Sequence, residues 1–243
     1  MLPVATPAPG RPVRKRRARG SISAEEILAG AFRFAEEESL QALSMPRLAA
    51  QLDVGVTSIY WYFKSKEDLL DALTEQAMVQ FYAELHVPAG LAWDEHLREF
   101  FREFRRIFRA EKVLNDLIIV RTGTVTEKAL TAAFERIEEV LEALVDAGFS
   151  RDEAIYGYSA LSVYTRGALF IERGYQAAEK RPTVRRPTAG DPAHIPLISD
   201  VASRHTMAMT GEDDFEFGLE NSLRGLRVLL AEHRAGQPGH VAP

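Results

Sequence analysis

From Ser23 onward, apolar residues recur at three- and four-residue intervals, and no segment alternates apolar with polar residues. Such spacing lines apolar side chains along one face of a helix, whereas a half-buried strand needs strict alternation. The pattern therefore commits the chain to an all-α fold. Local punctuation agrees. Ser23 with Glu26, and Ser150 with Glu153, have the Ser-x-x-Glu form of a capping box. Gly148 stands where a left-handed residue closes a helix. The spacing predicts a first helix to about Glu38, with Ile27, Leu28, Ala31, Phe32 and Ala35 as its apolar stripe. Short helices are expected over Met45–Leu52 and Thr57–Phe63, and a fourth, capped by Ser65, runs toward Pro88. Asp94 is the expected cap of a helix carrying Phe100, Phe101, Phe104 and Phe108. Further helices are expected over Val113–Arg121, over Glu127–Asp146 with Leu130, Phe134, Ile137, Leu141 and Leu144 on one side, from Ser150 to about Ala178, and over Phe215–Arg234. A short one is expected within Ile195–Met209.

Composition narrows the chemistry. With no cysteine in 243 residues, disulfides, thiolate metal sites and cysteine nucleophiles are excluded. The six histidines show no metal-ligand spacing, and no phosphate-loop, dinucleotide or serine-hydrolase motif is present. The expectation is a non-enzyme with no cofactor and no bound metal. No apolar run reaches the length of a membrane span, and the N-terminus lacks the apolar core of a signal peptide, so a cytoplasmic chain with no membrane partner is expected. Charge is unevenly spread. Residues 1–24 hold six basic side chains and no acidic one, while the whole chain is at −5, which leaves the rest at −11. The expected organisation is a disordered basic arm over 1–20, a small module over 21–66, a larger helical domain over 67–235 with a mobile Pro-rich loop at 180–193, and a frayed tail at 236–243.

The small module carries the sharpest signal. Residues 44–66 read SMPRLAAQLDVGVTSIYWYFKSK, two short helices around a three-residue break, Asp53-Val54-Gly55, in which Gly55 is the expected turn residue. That is the physical requirement of a helix-turn-helix. Leu48, Ala49, Leu52 and Ile59 face inward, which leaves Val56, Thr57, Ser58, Tyr60 and Tyr62 for a DNA groove, with Lys64 and Lys66 placed for phosphate and Arg47 as a further DNA-binding candidate. On helix pattern alone, a three-helix subdomain with a polar surface remains the alternative. The basic arm is either a solubilising tail or a phosphate tether.

LSMPRLAAQLDV followed by SIYWYFKSKEDLLDAL, with the spacing of Tyr60, Phe63, Lys64, Lys66, Leu69 and Leu70, resembles the N-terminal domain of TetR-type transcriptional repressors. Residues 93–230 resemble the regulatory domain of the tetracycline repressor subgroup, through GTVTEKAL at 123–130, DAGFSRDEAIYGYSALSVYTRGALFIE at 146–172 and FEFGLENSLRGL at 215–226. The resemblance implies a homodimer that binds a palindromic double-stranded DNA operator and responds to a small-molecule effector. A transcriptional activator of the same fold and a helical scaffold without specific DNA binding are the alternatives. It also implies dimerisation through the eighth and last helices, where Gly157, Ser159, Ala160, Ser162 and Gly167 permit close approach and Leu219, Leu223, Leu226 and Leu230 supply apolar area.

The sequence departs from the subgroup where the drug-borne magnesium is held. The family's metal-ligating His corresponds to Arg121, and its assisting Glu to Ile171, with Glu172 adjacent. The Asn and His that grip the drug correspond to Phe100 and Tyr82, a Gln to about Ile137, and an Arg of the following loop to Val125, while an aromatic is kept as Phe104. The expected effector site is Tyr82, Phe100, Phe104, Arg121, Thr124, Ile137, Val163 and Ile171, with Tyr164 beside them, for a hydrophobic or aromatic ligand without magnesium, and one carrying a negative charge if Arg121 faces it. The plainer alternatives are bundle core for Phe100 and Phe104, and a solvent-facing helix end for Arg121.

Overall fold

The computed structural model describes residues 22–121, 126–179, 194–198, 200 and 211–236. Among these, every regular element is helical: α1 (Ala24–Glu37), α2 (Met45–Gln51), α3 (Val56–Tyr62), α4 (Lys66–Glu84), α5 (Trp93–Ala110), α6 (Lys112–Asn115), α7 (Glu127–Ala147), α8 (Arg151–Glu179) and α9 (Glu212–Gly236). A π-helical turn, Asp116–Val120, continues α6. The chain divides into two compact units between Ala72 and Leu73, inside α4. The arm at 1–20, the loop at 180–193, Thr124 and the tail beyond Gly236 lie outside the described residues, as does most of the helix expected within 195–209.

In the first unit, Ser23 Oγ accepts from the Glu26 amide at 3.2 Å and Glu26 accepts from the Ser23 amide at 3.0 Å, closing the capping box. The buried line of α1 is Ile27, Gly30, Ala31, Phe34 and Ala35. Phe34 takes the place expected of Phe32, because it stands seven residues from Ile27 on the same face. Gly30 lets α1 approach Leu52 closely: a Cβ there would lie 2.5 Å from Leu52 Cδ2 and would make that side chain shift. The turn between α2 and α3 differs from expectation. Asp53 takes the left-handed conformation (φ 55°), and Gly55 is extended (φ −72°) and serves as the N-cap of α3. Aspartate tolerates that region better than most residues because its short side chain bonds locally.

In the second unit, α5 buries Leu97, Phe100, Phe101, Phe104, Ile107 and Phe108, with Phe81 and Tyr82 of α4 packed against them. Asp94 is not a cap. Ala92 holds that position, and Asp94 sits in the first turn, where it accepts from Arg227 of α9 at 2.5 and 2.8 Å. The buried line of α7 is Ala129, Ala133, Val140 and Leu144, so small residues set a close approach while Leu130 and Phe134 stand outside. Gly148 ends α7 at φ 110°, and the Ser150–Glu153 box opens α8 with bonds of 2.9 and 3.3 Å. Leu219, Leu223 and Leu230 of α9 are core within the chain, and a Cβ on Gly157 would lie 3.1 Å from Leu226, so the expected dimer leucines pack α9 onto its own chain.

The bundle also buries part of a base. His96 on α5 has a buried Nε2 without a hydrogen-bond partner, and burial holds its pKa below the ordinary value, opposed by Glu139. The unfolded chain therefore binds the more protons as pH falls through about 6.5. Its contribution to stability is complete above that range and declines below it. In His96→Phe, urea midpoints measured between neutral pH and mild acid should fall less than in the parent chain. Equal slopes would remove His96 as a cause.

Candidate functional site

Two sites emerge, one in each unit. In the first, Ile59 is fully buried and anchors α3, which fixes the opposite face of the helix toward solvent. Thr57, Tyr60 and Tyr62 are exposed, and Val56 and Ser58 are half-buried. Trp61, absent from the residues singled out by sequence, is 71% exposed and is the most exposed large apolar side chain of this helix. Three consecutive aromatics carry no periodicity, so spacing could not rank them. Tyr62 also acts within the unit, where its hydroxyl donates to the Ile22 carbonyl at 2.9 Å and ties α3 to the segment before α1. Tyr62→Phe should cost about 1 kcal/mol, the net worth of a part-buried hydrogen bond. Thermal unfolding checks this, and an unchanged midpoint would show that water replaces the bond.

The expected basic DNA contacts divide as well. Arg47 pairs with Glu38, donates to the Ala42 carbonyl at 3.0 Å and lies 4.9 Å from the Phe34 ring centroid, so it is engaged in holding α1 to α2. Lys64 reaches the Tyr60 and Trp61 carbonyls at 3.5 and 3.3 Å and closes the end of α3. Lys66 opens α4.

In the second unit, Tyr82, Phe100 and Phe104 come together with Phe81, Phe101 and Tyr158 as one aromatic cluster. Burial pushes the Tyr158 phenol up to about 12 and raises that of Tyr82, so both stay neutral at physiological pH. Arg166 of α8 lies over Phe104, 5.2 Å from the ring centroid. Arg121 follows the π turn, is half-buried and donates to Thr74 Oγ1 of α4 at 3.2 Å. Ile137 is half-buried on α7. The structure does not bring Val163 and Ile171 into the cluster. They stand 72% and 46% exposed on α8, because Leu161, Thr165, Leu169 and Glu172 take its inward face. Tyr164 reaches α9 instead, donating to the Asp214 and Phe215 carbonyls.

The donor set does not suit the magnesium of the tetracycline subgroup. A guanidinium only donates, and Ile171 has no ligand atom. The neighbouring carboxylate, Glu172, is engaged by Arg105 Nη2 at 2.6 Å and Nε at 3.1 Å. Both side chains are buried, at 3% and 6% exposure, and Arg105 also reaches Glu212 at 2.7 Å and lies 4.3 Å from the Phe215 ring centroid. A groove of about 510 Å³ opens beside this pair, lined by Arg102, Arg105, Arg106, Arg109 and Phe215. Its arginines are already matched by Glu216, Glu172, Glu103 and Glu212, so it offers little charge to an incoming anion.

Residues 27–73 match the family model "Bacterial regulatory proteins, tetR family", and residues 88–230 match "Tetracyclin repressor-like, C-terminal domain". An HTH-type transcriptional repressor of Mycobacterium tuberculosis is 42% identical over 240 residues, covering 96% of this chain and 90% of its own. The class D tetracycline repressor protein of Escherichia coli is 28% identical over 209 residues, covering 86% and 91%. The crystal structure of apo ActR from Streptomyces coelicolor aligns with a TM-score of 0.63 at 25% identity, over 89% of this chain and all of that one.

Proposed function

The chain belongs to the tetR family of bacterial regulatory proteins, and on that premise we propose that it is a homodimeric repressor of a palindromic operator, released by a hydrophobic or aromatic effector without magnesium. It is a transcription regulator and not an enzyme. The observation that carries the effector reading is the aromatic cluster around Phe104, together with Arg121 at the position that corresponds to the subgroup's metal-binding His. Apolar walls with a few polar points suit a small aromatic molecule. For the candidate residues, the proposal keeps Tyr82, Phe100, Phe104 and Ile137 as walls and Arg121 as a link to α4 through Thr74.

DNA reading falls to α3, with Thr57, Ser58, Tyr60 and Trp61 toward the groove and Val56 beside them. Lys66, at the start of α4, is the proposed phosphate contact. Two such helices in a dimer are spaced roughly 34–36 Å apart, one turn of B-DNA. The dimer face proposed is the outward stripe of α8 and α9. Tyr156, Val163, Phe170, Phe217 and Val228 are all exposed there, and Ser159, Ala160 and Gly167 let a second copy approach. An effector acts only through different affinities for the DNA-bound and released states.

A footprint on the intergenic DNA next to the chain's own gene, followed by effector-driven release, tests the reading. Absence of a specific footprint overturns it. A saturable micromolar titration by magnesium–tetracycline would overturn the metal-free part. The basic arm is proposed to neutralise phosphates, so deleting residues 1–20 should flatten the salt dependence of operator binding. An unchanged slope would show that the arm stays off the DNA.

A further inference from the structure

Arg166 differs from the other deeply placed arginines of its unit. Arg98 pairs with Glu220, Arg105 with Glu172 and Arg173 with Asp116, the last through two bonds of 2.5 Å. Arg166 is half-buried at the same bundle, and among the described residues it has no carboxylate. Its Nε donates to Ser162 Oγ at 3.2 Å, its Nη2 lies 3.5 Å from the Tyr82 hydroxyl, and its Cζ lies over the Phe104 ring. None of these groups carries a negative charge, since burial keeps the Tyr82 and Tyr158 phenols protonated. A partly desolvated cation without an anion costs free energy, and it is tolerated where function supplies the counter-charge.

A second observation lies on the same helix. Thr165, the preceding residue of α8, is fully buried and its hydroxyl has no hydrogen-bond partner. Asn115 of α6, a helix packed on α8, has an unpartnered buried Oδ1 as well. Unsatisfied buried polar atoms are uncommon, and each calls for a cause. Here an unmatched charge and an unmatched hydroxyl occupy consecutive residues of a helix whose Tyr158 packs against Phe100 and Phe101.

We propose that Arg166 is the anion-holding residue of the effector site, and that the effector is an aromatic carboxylate. Its ring lies against the aromatic cluster and its carboxylate takes the guanidinium fork in two parallel bonds. The inference rests on the effector-responsive reading above and names the ligand class of that site. It moves the anion from Arg121, which donates to Thr74, to α8.

The probes are 2-naphthoate and its uncharged isostere 2-naphthamide, titrated calorimetrically into the full chain. Naphthoate should bind at least about tenfold more tightly than the amide, the worth of a charge-assisted pair. In Arg166→Gln the ratio should collapse toward one while weak amide binding survives, and Arg166→Lys should restore part of it. If the Gln variant does not fold, the wild-type ratio and the Lys variant decide. A wild-type ratio near one, no saturable naphthoate binding, or a ratio that persists in Arg166→Gln overturns the proposal. So does a Gln variant that elutes as a monomer where the parent is a dimer, since the counter-charge would then come from a second copy. A specific operator footprint alongside any of these failures leaves the regulator reading standing, whereas no footprint removes that reading itself.

Discussion

Arg105→Met is expected to lose about 3 kcal/mol of folding stability, seen as a lower urea midpoint at an unchanged slope. The cause is the carboxylate left behind. Glu172 is 6% exposed and takes both near guanidinium nitrogens of Arg105. Without them its remaining partner is Arg109, 3.5 Å away and itself half-exposed, which holds the loss to the lower end of the usual range for a broken buried pair. The contact of Arg105 with the Phe215 ring is lost at the same time. Replacing both partners, Arg105→Met with Glu172→Leu, removes the stranded charge and should recover most of the loss. A single-variant loss under about 1 kcal/mol would mean that Glu172 is solvated or readily protonated when alone.

Trp61→Ala should leave folding within about 0.5 kcal/mol of the parent, as expected for an exposed side chain. Operator affinity should nevertheless fall by about 2 kcal/mol, roughly thirtyfold, because each of two half-sites loses a contact worth about 1 kcal/mol or more. Trp61 is 71% exposed on α3 and meets Tyr62 edge-on at 4.6 Å, so little inside the unit depends on it. Its surface is available to a groove or to a sugar–phosphate edge. Matched stability with unchanged affinity in a fluorescence-anisotropy titration on the footprinted site would exclude it from the interface.

What could be read from the sequence was local. The Ser23 and Ser150 boxes and Gly148 depend on residues within one turn, and all three form as expected. Elsewhere a distant partner outweighs what local spacing offers. Asp94 looks like a cap, but Arg227, 133 residues later, claims it. Arg105 follows Phe104 directly, where spacing alone assigns it no face, and Glu172 holds it in the core from 67 residues away. The aromatic cluster was legible because phenylalanine at helical spacing has few places to go. Which face of α8 turns inward was not, since Leu161, Val163, Leu169 and Ile171 are equally apolar and only packing separates them. Arg166 gave no signal in sequence, because an arginine without a partner looks like any other arginine.

The π turn at Asp116–Val120 bears on how this chain tolerates a change in length. A π turn is an α-helix holding one residue more than its hydrogen bonding accommodates. Deleting one residue between Leu117 and Val120 would convert it to an α-helical turn, and because the extra residue is taken up inside the turn, both ends would keep nearly the same direction. Asp116, clamped by Arg173, and Arg121, bonded to Thr74, would both keep their partners. The segment therefore takes up a one-residue difference in length locally, without turning the side chains on either side of it.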